Sequence, residues 1–137
     1  MAVKAAVTSA VMRVSDVDRS VTFYCDVLSC HVAIREHDAA LLLTPNGFQI
    51  YLYSRKPSRR LRSSATGLQY LMWATDSEEE LQRILERLRA HDPAALAYRE
   101  GELSFVEGCD PDLQRVIVVY PSPSRLPREL IASRFQW

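Results

Sequence analysis

The chain has 137 residues, 47% of them apolar, and its 17 basic and 17 acidic side chains leave a formal net charge of +0. That length fits one compact domain or two very small halves of one, with enough apolar residues for a real core. A balanced charge excludes the basic footprint of a nucleic-acid binder, and no run of 18 or more apolar residues is present to cross a membrane as a helix.

Residues 1–10 carry one Lys and are broken by Thr8 and Ser9. This is too weak a pattern for a secretory leader, so a cytoplasmic protein is expected. The valines at 7, 11 and 14 predict a strand over residues 5–14. Ser15 or Asp16 then caps a helix, with Asp18 placed to complete a capping box. Val17, Val21, Tyr24 and Leu28 recur at helical spacing and give that helix one apolar face. Residues 30–36, 39–44 and 48–53 follow as three short strands, and Pro45-Asn46-Gly47 is a hairpin turn because Asn and Gly tolerate positive φ.

Residues 55–66 read as a linker, with Pro57, four Ser or Thr and five of the 17 basic residues. It is either a solvated connection or an anion clamp over a pocket mouth. A second strand–helix–three-strand run follows. Residues 68–75 are a strand. Ser77 with Glu80 forms a capping box, and Glu78, Glu79 and Glu80 suit the positive end of the helix dipole. Leu81, Ile84, Leu85 and Leu88 form the buried stripe, and Pro93 lies beyond the helix end. Residues 94–99, 103–107 and 114–120 are the returning strands, with Asp110-Pro111-Asp112 as the turn before the last. The tail, 121–137, has three prolines and a short helix is expected over 128–134, packing Leu130, Ile131 and Phe135. The three cysteines, Cys25, Cys30 and Cys109, are odd in number and lack CxxC spacing, which fits reduced thiols.

Residues 5–54 and 67–120 therefore say nearly the same thing twice. An internal repeat of this kind fixes architecture. The expected fold is a single α+β domain of two tandem βαβββ modules, whose curved mixed sheet encloses a cavity. Short strands with exposed edges need a neighbour, so a homodimer is expected.

Two segments carry a family resemblance. The stretch VMRVSDVDRSVTFYCDVLSCHV contains Val14-Ser15-Asp16, Ser20, Phe23-Tyr24 and Val27-Leu28 in a strand–Asp–helix pattern ending in FYxxxLG, with Ser29 at the usual Gly. The stretch EGCDPDLQRVIVVYP contains a DPDGN-like turn before a strand, with Leu113 for the usual Gly and Gln114 for the usual Asn. Over about residues 5 to 123 the chain resembles the vicinal-oxygen-chelate superfamily of glyoxalase I, extradiol dioxygenases, and fosfomycin- and bleomycin-resistance proteins. That resemblance implies the paired-module fold. In members with chemistry it also implies a divalent metal held by His, Gln or Glu on the first and last strands of each module.

Counting from the motifs, those ligand positions fall here on Ser9, Tyr51, Tyr70 and Ile117. Isoleucine cannot coordinate, and Ser and Tyr need a deprotonation that a lone site rarely supplies. His31, His37 and His91 read as surface or helix-end residues. No metal or other cofactor is therefore expected, with a divalent ion as the alternative. Alternation along the strands puts Ser9, Val11 and Arg13 on one face of the first strand, and Gln49, Tyr51 and Tyr53 on one face of the fourth. Tyr70, Met72, Arg115 and Ile117 line the second module. An aromatic and aliphatic lining with a few polar groups suits a flat, mostly apolar ligand. The leading expectation is a metal-free binder of a small organic molecule, antibiotic-like by analogy with the bleomycin-resistance type, and not an enzyme. The alternatives are an enzyme of the superfamily, a lyase, isomerase or dioxygenase, using unusual metal ligands or a tyrosine whose pKa is lowered near Arg13 or Arg115, and a structural dimer with a filled cavity.

Overall fold

The computed structural model describes residue 3, residues 7–54 and residues 70–122. The chain divides into two compact units, Met1–Leu61 and Arg62–Trp137, and the boundary falls within the stretch expected to be a linker. That linker, the helix expected over 128–134, and the early residues 5, 6, 68 and 69 of the two opening strands lie outside the described residues.

The first unit runs β1 (Ser9–Arg13), α1 (Val17–Leu28), β2 (His31–Arg35), β3 (Ala39–Leu43) and β4 (Gln49–Tyr53). Its four strands are ordered β1-β4-β3-β2, with β1 parallel to β4 and the other pairs antiparallel. The second unit repeats the plan with β5 (Leu71–Ala74), α2 (Glu78–His91), β6 (Leu96–Glu100), β7 (Leu103–Cys109) and β8 (Arg115–Tyr120). Its order is β5-β8-β7-β6, with β5 parallel to β8. The α+β class and the duplicated βαβββ unit are as the sequence predicts, with the strands in two four-stranded sheets.

Each helix starts where a short polar side chain satisfies a free backbone N–H. Asp16, not Ser15, caps α1 and accepts from the Arg19 amide at 3.1 Å. The expected Ser15–Asp18 box is therefore not formed. Asp18 instead accepts from Arg35 of β2 at 2.6 Å, and Ser15 Oγ accepts from Arg19 Nη2 at 2.8 Å. Ser77 caps α2 as expected, accepting from the Glu80 amide at 3.1 Å. α1 buries Val17, Tyr24 and Leu28 of its predicted stripe, plus Ser20, Phe23 and Val27, while Val21 is only half-buried. α2 buries Leu81, Leu85 and Leu88, with Ile84 half-buried.

Beneath α1 lie Met12, Val14, Leu42, Ile50 and Leu52, all buried. Beneath α2 lie Val106, Val116 and Val118. Each such side chain is worth about 1.5–3 kcal/mol of burial. Each sheet therefore has one face toward its helix, and its other face forms the candidate site.

Of the boundaries that differ from the sequence reading, those of β6 and β7 have a clear cause. β6 starts at Leu96 rather than residue 94, because Asp92 holds the Ala94 amide through Oδ1 and the Ala95 amide through its carbonyl, both at 3.0 Å. β7 continues to Cys109, because Gly108 and Cys109 pair with Val116 and Arg115. Glu107 sits on this strand, as the sequence predicts.

The turns before β4 and β8 are the same device built twice. The Gly47 amide donates to Thr44 O at 2.8 Å, and the Leu113 amide to Asp110 O at 3.0 Å. The Thr44 amide donates to Phe48 O, and the Asp110 amide to Gln114 O, both at 2.9 Å. Thr44 Oγ1 accepts from the Phe48 amide at 3.0 Å, and Asp110 Oδ1 from the Gln114 amide at 2.9 Å. A threonine hydroxyl in one copy does the work of a carboxylate in the other. The shared turn fixes a shared register: Tyr51 pairs with Val11 where Ile117 pairs with Met72.

Candidate functional site

The open face of the first sheet is arranged in rows across the strands. One row is Ser9, Gln49, Leu43 and His31; the next is Val11, Tyr51, Leu41 and Ile34; the third is Arg13, Tyr53 and Ala39. In the middle row Val11, Tyr51 and Ile34 are 66%, 42% and 52% exposed, while Leu41 between Tyr51 and Ile34 is buried. Val11, Ala39, Tyr51, Leu52 and Tyr53 line a groove of about 350 Å³. That volume lies at the low end of the ~300–1,000 Å³ typical of small-molecule sites. Six of the residues predicted to bind ligand, Ser9, Val11, Arg13, Gln49, Tyr51 and Tyr53, are brought together on this face. Among the described residues, the polar side chains of Ser9, Arg13, Gln49, Tyr51 and Tyr53 make no hydrogen bond or ion pair.

The matching face of the second sheet carries the other four, Tyr70, Met72, Arg115 and Ile117. Among the described residues, its side chains are buried or partly buried and pack on one another. Phe105, Ile117 and Val119 are 1%, 0% and 0% exposed, and Tyr70, Met72, Tyr98 and Leu103 pack against them. The Tyr98 ring stacks on Phe105 at 5.0 Å between centroids. Its hydroxyl donates to Glu107 Oε1 at 3.1 Å. Arg115 donates through Nε to Glu107 Oε2 at 3.2 Å, and its Nη2 lies 3.1 Å from the same oxygen. The Arg115 guanidinium carbon also sits 4.8 Å from the centre of the Tyr70 ring, a cation–π contact.

Leu103, Tyr98, Phe105 and Glu107 were not among the residues predicted for this face. Alternation along β6 and β7 would have found them.

Tyr70 is half-buried on this face. Burial pushes its phenol above the ordinary value; Arg115 pulls the other way and Glu107 adds to the rise. Arg115 does lower this phenol as expected, but burial outweighs it, so the expected net lowering is not found. The Cys109 thiol is also raised, by burial first and then by Asp92, Asp110 and Glu107, against a smaller opposing pull from Arg115.

Ser9 and Tyr70 stand the same distance ahead of their helix caps, Asp16 and Ser77, and Tyr51 and Ile117 the same distance beyond their turns. The four positions that the family resemblance implies are therefore structurally equivalent in pairs. Their donor types remain a hydroxyl, two phenols and an alkyl group, which do not fit a divalent ion. Among the described residues no three His, Cys, Asp or Glu side chains are grouped so as to hold a metal. His31 is exposed on β2, His37 lies in the bend before β3, and His91 is exposed at the end of α2.

Two βαβββ units, each pairing its first and last strands in parallel and keeping one sheet face away from its helix, define a paired-module α+β protein. The chain belongs to the Glyoxalase/Bleomycin resistance protein/Dioxygenase superfamily, whose family model matches residues 6–107. Its fold is similar to a glyoxylase/bleomycin resistance protein/dioxygenase domain from Frankia sp. EAN1pec, at TM-score 0.70 and 20% identity over 85% of this chain and 98% of that one. It is also similar to a lactoylglutathione lyase from Agrobacterium tumefaciens, at TM-score 0.67 and 19% identity over 85% and 93% of the two chains. A third similar structure is the oxidase ChaP-H2, at TM-score 0.61 and 14% identity over 88% and 96%. At such identities these likenesses speak for the fold alone. No curated protein sequence matches the chain. No helix among the described residues is long and apolar enough to cross a membrane.

Proposed function

We propose that this protein binds a small, flat organic molecule in the tyrosine-lined groove of its first unit, without a resident metal ion. One observation carries the reading. The first unit presents an apolar stripe flanked by uncommitted polar side chains, while the same face of the second unit is packed with its own residues. Exposed aromatic surface beside free hydroxyl, amide and guanidinium groups is what a ligand site offers. The donor types at Ser9, Tyr51, Tyr70 and Ile117 support metal-free binding. The reading includes a reducing, cytoplasmic setting, supported by the free thiols of Cys25, Cys30 and Cys109. It also includes a homodimer, supported by the wholly exposed strand β2.

The test uses 2-naphthamide, a neutral flat probe, titrated calorimetrically into chelator-treated protein. Saturable binding at one site per chain is expected, weakened about 10-fold by Tyr51→Ala through loss of the aromatic contact. No saturable binding, or unchanged affinity in Tyr51→Ala, overturns the reading.

A second reading, an enzyme using a tyrosine proton, has the Tyr98–Glu107–Arg115 array and adjacent Tyr70 in its favour. A raised phenol suits a proton donor rather than a base. Unchanged turnover in Tyr70→Phe, once a substrate is found, removes it.

A further inference from the structure

The two units differ in one charge as well as in shape. Each carries an arginine on the sheet face away from its helix, Arg13 on β1 and Arg115 on β8. Arg115 is neutralised by Glu107 at 3.1 Å and covered by Tyr70. Arg13 is exposed, and among the described residues it has no ion pair, hydrogen bond or ring contact. Its position is fixed by the ladder: it pairs in register with Tyr53 and follows Val11 by one full strand repeat on the same face. Val11 and Tyr53 both line the groove. A guanidinium on a flexible stem at the rim of an aromatic groove presents a fork of N–H donors that matches a planar carboxylate.

Among the described residues, three acidic side chains near this end are placed elsewhere. Asp16 is turned to the α1 amides, and Asp18 pairs with Arg35 of β2. Asp38 accepts through its carbonyl from the Ser54 amide, and its carboxylate does not pair with Arg13.

The geometry points to an anionic aromatic ligand, an aryl carboxylate in chemical class, with its ring on Val11 and Tyr51 and its carboxylate on Arg13. The inference rests on the reading that this groove is the binding site, and it adds the sign of the ligand's charge. It also assigns the two arginines different tasks. Arg115 holds a closed face together, and Arg13 selects what enters an open one.

The test compares 2-naphthoate with 2-naphthamide, which share a ring and differ in charge. The wild-type chain should prefer the carboxylate by about 5-fold at low salt, the scale of one exposed ion pair. That preference should shrink as ionic strength rises past the point where the Debye length falls to about 10 Å. Arg13→Gln should abolish the preference for the carboxylate. Arg83→Gln makes the same charge change on the exposed surface of α2 and should keep it. Equal affinity for the two probes, or a preference that survives Arg13→Gln, overturns the assignment of Arg13 while leaving the groove as the site. Failure of both probes to bind overturns the groove and this inference together.

Discussion

Leu113 holds a φ of 65° at the turn before β8, and Ser29 a φ of 57° at the end of α1. The left-handed region costs an L-residue with a Cβ roughly 1–2 kcal/mol. At each position glycine is the usual residue of the family that the sequence resembles, so the chain keeps the backbone geometry and accepts the strain. Leu113 is also exposed and gains nothing from burial. Leu113→Gly should therefore stabilise the protein by about 0.5–1 kcal/mol, after the added freedom of the unfolded chain is subtracted. The check is the urea midpoint; a midpoint that falls contradicts the strain argument. The paired turns give a graded comparison. Asp110 Oδ1 accepts from two amides, Asp112 and Gln114, each at 2.9 Å, whereas Thr44 Oγ1 accepts from the Phe48 amide. Asp110→Ala should cost about 2–3 kcal/mol and Thr44→Val about 1 kcal/mol. Equal losses in chemical denaturation contradict a turn held chiefly by the carboxylate. These turns were legible in the sequence as punctuation, but their equivalence was not, because Thr-Pro-Asn-Gly and Asp-Pro-Asp-Leu share backbone bonding and few side chains.

At the scale of elements, the two units solve helix-on-sheet packing with opposite distributions of bulk. Leu88 of α2 lies over Gly108 of β7, where an added Cβ would come within 2.7 Å of Leu88 Cδ2 and 3.2 Å of Ala95 Cβ. In the first unit the corresponding ladder position is Leu42, fully buried. Leu88 is itself fully buried and has no solvent side to retreat to, so Gly108→Ala should destabilise by about 1–3 kcal/mol through overpacking. A thermal midpoint equal to the wild type's would contradict the close approach of α2. The α1–β2 junction supplies a pH prediction. Burial pushes the Cys30 thiol from 9.0 to about 12, with Cys25 beside it adding to the rise. Below 9.0 the thiol is neutral in both states and its contribution is complete. Between 9.0 and about 12 the unfolded chain releases the proton and the folded chain keeps it, so stability falls as pH rises. Cys30→Ala should show a shallower alkaline loss than the wild type; parallel curves would contradict it. Element order and most boundaries were readable from hydrophobic spacing and caps. The start of β6 was not, since Asp92 binding two successive amides leaves no periodic signature.

For the whole molecule, duplication and the family pattern were legible because scaffold residues recur in both halves: caps, helix stripes and turns. Six open-face residues of the first unit were legible from alternation. The structural difference between the halves was not. It depends on which open face is filled, and that turns on Phe105, Tyr98 and Glu107, which alternation along the first and last strands does not reach. The duplicated scaffold thus carries two unlike faces, a second one packed by Phe105, Ile117 and Val119 and a first one left open around Tyr51. Metal-independent binding at Tyr51 is the central claim, and calorimetry with 2-naphthamide tests it most directly when run before chelation, after chelation and after adding back zinc or manganese. The account predicts one affinity in all three conditions and a loss of about 10-fold in Tyr51→Ala. Binding that vanishes on chelation and returns with the metal, or that Tyr51→Ala leaves untouched, would contradict it.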